Sequence, residues 1–302
     1  MKASSVLLIV ALTIVVTLAT VGFVEHHAPR GENVLAHAGT ETAYERVMRT
    51  GTLRCGYALY PIFFERDPNT NALSGVYYDF LEEVGRQLSL KIEWTEEVAL
   101  ANAFDGLKSR RYDVMCFPFN QTPGRARATE FTMPVIYVPF YAYVRADDMR
   151  FDRNYEKIND PSVKFAYLEG EFSQYLKAEK FPKAQSVSMP NLTDVSQVLL
   201  QVALGKADIT TTAPSTAEAF LAHNPGKLRR VVGAYLRMQS SGGLSVAVGE
   251  ESLKMMLDTT LRAMLASGII EKIIGKYTTS PDLFFYPAEP WGVSAQPAGG
   301  FP

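Results

Sequence analysis

The chain of 302 residues has little histidine and little cysteine, the residues on which many catalytic and metal sites depend. Three of its four histidines lie before residue 40, which leaves His223 alone in the body of the chain. Two cysteines, Cys55 and Cys116, are too few for a disulfide-rich scaffold or a four-cysteine zinc site. We therefore expect no histidine-based catalysis, no metal and no cofactor.

An excess of charge of either sign is also missing. Thirty Lys and Arg residues oppose 32 Asp and Glu residues, for a formal net charge of -2. This balance gives no basic surface for nucleic acid or for an anionic membrane. With 47% hydrophobic and 21% charged residues, the composition excludes a disordered chain and is sufficient for one large or two medium globular domains.

A long apolar run stands at the N-terminus. Residues 6–24 carry no charge, and Lys2 precedes them. The run is long enough to span a bilayer, and it is also close to a long hydrophobic region of a secretory signal. Residues 1–24 are therefore either a cleaved signal peptide or a retained membrane anchor, followed by a linker over 25–44. Both alternatives export the rest of the chain, so we expect a periplasmic or extracytoplasmic location.

The body of the chain alternates between short apolar strands and amphipathic helices. Strands are predicted at 53–57, 91–96, 113–119, 164–168, 186–189, 207–211 and 244–248. Helices are predicted at 76–88, 101–110, 172–180, 195–204, 216–223, 253–265 and 269–277, and a Pro- and Gly-rich tail at 281–302. The short β-α-β connections indicate an α/β protein with doubly wound sheets covered by helices.

A series of motifs then carries a family resemblance. In chain order they are Leu53-Arg54-Cys55-Gly56 with Tyr60-Pro61-Ile62-Phe63, Gly75-Val76-Tyr77-Tyr78-Asp79, Arg111-Tyr112-Asp113-Val114 with Thr122-Pro123-Gly124-Arg125, Phe131-Thr132-Met133-Pro134, and Gly205-Lys206-Ala207-Asp208. In this order and spacing, residues 50–277 resemble the family 3 (polar amino-acid type) periplasmic solute-binding proteins of ABC importers.

The resemblance implies the class II periplasmic-binding-protein fold, with two doubly wound α/β lobes joined by a two-strand hinge. Lobe 1 would comprise residues 45–142 and 242–280, and lobe 2 residues 146–238, with crossings near 141–144 and 240–244. It also implies a monomer that captures a small carboxylate-bearing solute, an amino acid or a related organic acid, by lobe closure. The permease of an ABC importer would then receive the solute.

The resemblance also identifies candidate ligand-binding residues in the first lobe. Arg125 matches the family arginine that binds the ligand carboxylate, as a planar guanidinium is suited to do. Thr122 either caps the turn that carries Arg125 or donates to the ligand. Asn120 and Pro118 fall where small polar residues often line the pocket, and Asn120 is either a ligand contact or a turn residue. Tyr60 either stacks on the ligand or packs in the core.

In the second lobe the sequence departs from the family pattern. The acid that binds the ligand's α-ammonium is replaced by Thr212 or Ala213, and the usual Gly-Thr turn reads Gly170-Glu171. Glu171 either takes over the ammonium or is a solvated glutamate in the first turn of a helix, where it suits the helix dipole, and we favour the second. The ligand is therefore an amino acid, a carboxylate without an ammonium group, or another small polar solute.

The two cysteines lie in strands predicted to be neighbours. An exported compartment permits a disulfide between Cys55 and Cys116. Adjacent parallel strands seldom present suitable geometry, however, and free cysteine is among the most buried residue types, so buried thiols are favoured.

Three functions remain open on this sequence. The leading one is solute capture for a permease. The second is a lyase resembling cyclohexadienyl dehydratase, with Glu171 as the acid and Arg125 as the carboxylate clamp. The third is an accessory protein whose lobes bind another exported protein.

Overall fold

The computed structural model describes residues 41–233, 239–278 and 283–284. Within these ranges, no helix combines the length and the apolar character that crossing a bilayer requires. The predicted signal peptide or anchor at 1–24 and most of the predicted tail at 281–302 lie outside the described residues. Of the predicted linker, residues 41–44 are described, and Ala43 and Tyr44 already belong to a helix.

The described chain contains strands, α-helices and short 3-10 turns. The strands are β1 (Thr52–Tyr57), β2 (Glu65–Arg66), β3 (Leu73–Ser74), β4 (Lys91–Glu97), β5 (Val114–Phe119), β6 (Glu130–Phe131), β7 (Ile136–Pro139), β8 (Tyr141–Arg145), β9 (Lys164–Leu168), β10 (Gln185–Met189), β11 (Ile209–Thr212), β12 (Leu228–Arg230) and β13 (Gln239–Val246). The α-helices are α1 (Ala43–Thr50), α2 (Val76–Leu88), α3 (Asp105–Lys108), α4 (Pro123–Ala126), α5 (Phe172–Lys180), α6 (Ser196–Ala203), α7 (Pro214–His223), α8 (Glu251–Ala266) and α9 (Ile269–Gly275).

The strands form two large sheets, and this confirms the predicted two-lobed α/β class. The first sheet has the order β4-β1-β5-β13-β6, with β7 also paired to β13, and the second has the order β10-β9-β11-β8-β12. Strand β1 is parallel to β4 and β5, and β9 is parallel to β10 and β11. Strands β8 and β13 run antiparallel to their neighbours. We call the half built on the first sheet the first lobe and the other half the second lobe.

The chain passes from one sheet to the other at Phe140. Strand β7 ends at Pro139 and pairs in the first sheet, whereas β8 begins at Tyr141 and pairs in the second. The return passes between β12 and β13, and part of that connection lies outside the described residues. The predicted bounds of the lobes remain a prediction.

Most of the predicted elements are present. Helices 76–88 and 172–180 agree residue for residue, and strands 53–57, 91–96, 113–119, 164–168 and 186–189 agree within one residue at each end. The strand predicted at 244–248 is longer and begins at Gln239. The antiparallel strands β6, β7, β8 and β12 were not predicted, because each is short and none shows an alternating pattern long enough to identify it.

The helix predicted over 101–110 is wrong. A single 3-10 turn over Leu100–Asn102 and the one-turn helix α3 stand in its place. The physical reason is Tyr112, whose hydroxyl donates to the carbonyl oxygen of Ala103. The ring of Tyr112 also lies against Gly106, where a Cβ would be only 2.0 Å from it. The segment therefore forms two short helical turns around Tyr112 instead of one continuous helix.

Cys55 and Cys116 form a disulfide between β1 and β5, so the preference for two buried thiols is wrong. Cys55 is paired in register with Val114, which places Cys116 two residues further along the neighbouring strand. This diagonal position brings the two Cα atoms to 5.5 Å, within the usual range for a disulfide. Both side chains are completely buried.

Candidate functional site

A cavity lies between the two lobes, beyond the carboxyl ends of β1, β5, β9 and β11. About 400 Å³ of empty space lies among its lining residues, and part of this space is open solvent. Its lining comprises Tyr60, Phe63, Leu100, Phe117, Pro118, Phe119, Asn120, Arg125, Val138, Phe140, Gly170, Glu171, Phe172 and Ala213. Ligands of α/β proteins bind at this end of the strands.

Arg125 is held in the wall of the cavity by contacts from both lobes. Its Nη1 donates to the carbonyl oxygen of Asn120 at 3.1 Å and to the Asn120 side-chain oxygen, and its Nη2 donates to the carbonyl oxygen of Gly170 at 2.6 Å. The guanidinium carbon lies 4.8 Å from the centre of the Phe119 ring. Burial lowers the pKa of Arg125 to about 10, while the charge of Glu171 acts in the opposite direction. Arg125 is therefore a cation at neutral pH.

The turn before Arg125 explains its placement. Thr122 is the N-cap of α4, and its hydroxyl accepts a hydrogen bond from the backbone N–H of Arg125 at 3.3 Å. Pro123 begins the helix, in the position where a missing N–H costs nothing. Of the two roles considered for Thr122, capping is the one that the structure shows, and the lining of the cavity does not include its side chain.

Glu171 is buried in the second-lobe wall of the cavity. Its side chain caps α5 by accepting from the backbone N–H of Ser173 at 2.8 Å and from the Ser173 hydroxyl. The hydroxyl of Tyr60 donates to its other oxygen at 3.2 Å. The expectation of a solvated glutamate is therefore wrong, because the first lobe covers this helix terminus. Burial raises the pKa of Glu171, opposed by the hydrogen bonds from Ser173 and Tyr60 and by the charge of Arg125.

Tyr60 joins the two lobes at the cavity and fits both roles considered for it. Its ring lines the cavity and also packs on Phe63 and Phe117, with ring centres 5.8 and 5.9 Å away. Its hydroxyl reaches Glu171 in the second lobe. Burial, followed by the charge of Glu171, raises the pKa of Tyr60, so the phenol stays protonated at neutral pH and can donate.

The remaining predicted residues divide into lining and supporting positions. Asn120 and Pro118 line the cavity at the end of β5. The Asn120 amide nitrogen is buried and has no hydrogen-bond partner among the described residues, so a donor is available at this point. Thr212 does not line the cavity, which Ala213 lines instead. The Thr212 hydroxyl lies outside this lining, beside the phenol of Tyr60.

Sequence reasoning missed the phenylalanines of the lining. Phe117 and Phe119 are two residues apart on β5 and therefore project from the same face of the strand, which is a signal that could have identified them. Phe140 lies at the passage between the sheets, and Phe172 begins α5. Their approach to the cavity depends on tertiary structure that no local pattern encodes.

The turn at Gly170 brings the two lobes into contact. Gly170 has a φ of +80°, and a Cβ at this position would lie 2.3 Å from the backbone nitrogen of Ala101 in the first lobe. Only glycine has both the conformational freedom and the space for this approach. The close approach also lets Arg125 reach the Gly170 carbonyl.

In the part of the chain that the structure describes, no group of three or more His, Cys, Asp or Glu residues could hold a metal ion. The chemistry of the cavity is that of a partly buried cation, a buried acid, an amide and aromatic rings. Two α/β lobes around such a cavity define a two-lobed solute-binding protein. The chain belongs to the bacterial extracellular solute-binding proteins, family 3, whose sequence model matches residues 53–280.

Known proteins of this kind are similar to the chain over most of its length. A probable amino-acid ABC transporter-binding protein of Haemophilus influenzae is 24% identical over 243 residues, which are 80% of this chain and 89% of that protein. The structure of an ancestral amino acid-binding protein, a precursor of cyclohexadienyl dehydratase, matches with a TM-score of 0.67 and 22% identity over 78% of this chain and 99% of that one. A cysteine-binding protein from Campylobacter jejuni matches with a TM-score of 0.68 and 16% identity over 82% of this chain and 100% of that one.

Proposed function

We propose that the protein captures an amino acid outside the cytoplasm and delivers it to the permease of an ABC importer. The observation that carries this proposal is Arg125, a partly buried cation in the wall of a cavity between two lobes. A guanidinium in such a site is suited to a two-point contact with a carboxylate. The names of the Haemophilus influenzae relative and of the structural neighbours support an amino acid as the ligand and a transporter as the partner.

The contacts of Arg125 support capture by lobe closure. The guanidinium belongs to the first lobe and donates to the carbonyl oxygen of Gly170 in the second, so the side chain that would bind a carboxylate also links the two lobes. Asn120 adds an amide donor beside it, and Tyr60 and Glu171 are hydrogen-bonded across the same cavity. The proposed ligand contacts are therefore Arg125, Asn120, Tyr60, Gly170 and Glu171.

The proposal extends to the location and the assembly of the protein. Residues 1–24 would act as a signal peptide or as an anchor, with the body of the chain in the periplasm or outside the cell. The lobes would span residues 45–142 with 242–280, and 146–238, in a monomer. The disulfide between Cys55 and Cys116 supports an oxidising compartment, because disulfides persist there and are rare in the cytosol.

The Gly170→Ala substitution is expected to weaken amino-acid binding about tenfold or more, because the added methyl group would collide with the backbone of Ala101. This collision arises only where the two lobes meet, and a cost of about 1.4 kcal/mol in the closed state corresponds to a tenfold loss of affinity. Calorimetric titration measures the affinity, and small-angle scattering with saturating ligand measures closure. Gly124→Ala is the matched control, since its methyl group would meet no atom within 4 Å. Equal affinity in the two variants would contradict closure at Gly170.

A lyase is the second candidate, and the burial of Glu171 favours it. Burial raises the pKa of this carboxyl group, as a general acid at neutral pH requires, and Arg125 is available to bind a substrate carboxylate. Incubation with prephenate and with arogenate, followed by proton NMR, distinguishes the two functions. A transport protein returns each compound intact, whereas a dehydratase converts it to an aromatic product.

A further inference from the structure

The lining of the cavity carries few charges and many aromatic rings. Among the described residues, its charges are confined to Arg125 and Glu171. Most of the other lining side chains are apolar, and five of them are the phenylalanines Phe63, Phe117, Phe119, Phe140 and Phe172. A ligand that fills the cavity must therefore present an apolar body to most of the lining and its polar groups to Arg125 and Glu171.

The two charges lie at neighbouring points of the lining. Arg125 touches the carbonyl oxygen of Gly170, the residue directly before Glu171. In an α-amino acid, a single carbon atom separates the carboxylate carbon from the ammonium nitrogen, so the two groups need anchors that lie side by side. Arg125 supplies the cation, Asn120 supplies an amide donor without a partner among the described residues, and Glu171 supplies the acid.

The rest of the lining excludes a charged ligand side chain. A buried ammonium or guanidinium needs an acid to pair with, and Glu171 would already be occupied by the headgroup. An additional carboxylate would likewise need a second cation, and the described lining has none besides Arg125. Aromatic rings favour an aliphatic or, through edge-to-face contacts, an aromatic side chain.

We propose that the ligand is an amino acid with a bulky apolar side chain, aromatic above all, whose ammonium group binds Glu171 and whose side chain lies among the five phenylalanine rings. This inference rests on the proposed function, since it names the ligand class of the same site. It places the ammonium anchor on Glu171, at the N-terminus of α5, rather than at the end of β11.

Titration calorimetry with matched ligands tests this assignment. The probes are L-phenylalanine, L-leucine, L-arginine, L-glutamate and 3-phenylpropionate, which is phenylalanine without its ammonium group. The full-length protein is expected to bind L-phenylalanine or L-leucine most tightly and 3-phenylpropionate at least about tenfold more weakly, which is the loss of one charge-assisted contact. Tightest binding of L-arginine or L-glutamate would overturn the ligand class.

The Glu171→Gln variant tests the anchor itself. In this variant the difference between L-phenylalanine and 3-phenylpropionate is expected to shrink at least about tenfold. An unchanged preference in the variant would overturn the anchor.

Glu169→Gln is the matched control for Glu171→Gln, because Glu169 is exposed and only two residues away.

The outcomes also separate this inference from the function on which it rests. If a polar amino acid binds tightly and Arg125→Ala abolishes its binding, the ligand class fails and the proposed function stands. If no carboxylate binds at all, both fail.

A second observation concerns the chain beyond the residues that the family matches. Phe284 is buried, and its ring centre lies 5.6 Å from that of Phe63, one of the rings of the cavity lining. The family match ends at residue 280. Phe63 also packs on Tyr77 and Phe117, so its ring is enclosed on several sides. We infer that Phe284 is a positioning residue, which holds the Phe63 ring and its turn against the cavity.

Hydrogen exchange tests this role without any ligand. The amides of Phe63 and Phe64 both donate to the carbonyl oxygen of Tyr60, at 3.1 and 3.0 Å, and so report on the turn. In Phe284→Ala these two amides are expected to exchange at least about tenfold faster, while the amide of Leu257 in α8 keeps its rate. Phe284→Leu, which keeps an apolar side chain, should restore most of the protection. Unchanged exchange at Phe63 and Phe64, or an equal increase at Leu257, would overturn the inference.

Discussion

The Arg125→Ala substitution is expected to weaken amino-acid binding at least about 100-fold. The guanidinium would provide two charge-assisted hydrogen bonds to the ligand carboxylate, each worth about 1.5–3 kcal/mol in a buried site, and about 3 kcal/mol already corresponds to more than 100-fold in affinity. Without the cation, the ligand carboxylate would also be buried beside the acid Glu171. Titration calorimetry of the native protein and the variant, with the amino acid that the native protein binds best, measures the loss.

Arg127→Ala provides a matched control on the same turn. Arg127 is exposed, whereas Arg125 lies in the cavity wall. Arg125→Lys should bind more weakly than the native protein and more tightly than Arg125→Ala, because it keeps the charge but loses the planar fork. An equal loss in Arg125→Ala and Arg127→Ala would refute a carboxylate contact at Arg125.

Removal of the disulfide is expected to have the largest effect on stability. The bridge between Cys55 and Cys116 has a sequence separation of 61 residues, and the loop-closure relation assigns about 4 kcal/mol to a loop of that length. In a domain of this size, that loss corresponds to a decrease in melting temperature of about 10 °C. The double variant Cys55→Ala with Cys116→Ala, compared with the native protein by scanning calorimetry, measures it.

A reducing agent supplies the control for this prediction. Both cysteine side chains are buried, so a reductant should reach the disulfide only in molecules that have unfolded. The reductant should therefore leave the folded native protein intact and act only during melting. The double variant should melt at the same temperature with and without reductant. A double variant as stable as the native protein would contradict a stabilising bridge.

The parallel parts of the fold could be predicted from the sequence because their signals are local. The helix at 76–88 carries an apolar stripe in which Phe80, Leu81 and Val84 are buried, and it begins after Gly75. The predicted strands paired with such helices are short apolar runs that need no partner to be identified. The antiparallel strand β8 could not be predicted in the same way, since its pairing with β11 and β12 is between residues far apart in the chain.

The site was predictable where a motif carried it. Arg125 was identified from its spacing after Thr122, and the structure places its side chain in the cavity. Glu171 was identified as a departure, but its burial depends on the approach of Tyr60 from the other lobe, which the sequence around Glu171 does not encode. Phe140 and Phe172 were missed for the same reason, since they reach the cavity from distant segments.

A thermal-shift screen of the full chain against the proteinogenic amino acids tests the central claim most directly. A ligand that binds only the folded state stabilises it by about 4 kcal/mol at a thousand times its dissociation constant, which corresponds to an increase in melting temperature of about 10 °C. We expect amino acids with bulky apolar side chains to give the largest increase, and Arg125→Ala to abolish it. If no amino acid raises the melting temperature even at millimolar concentration, the chain does not bind amino acids, and the account given for this cavity is wrong.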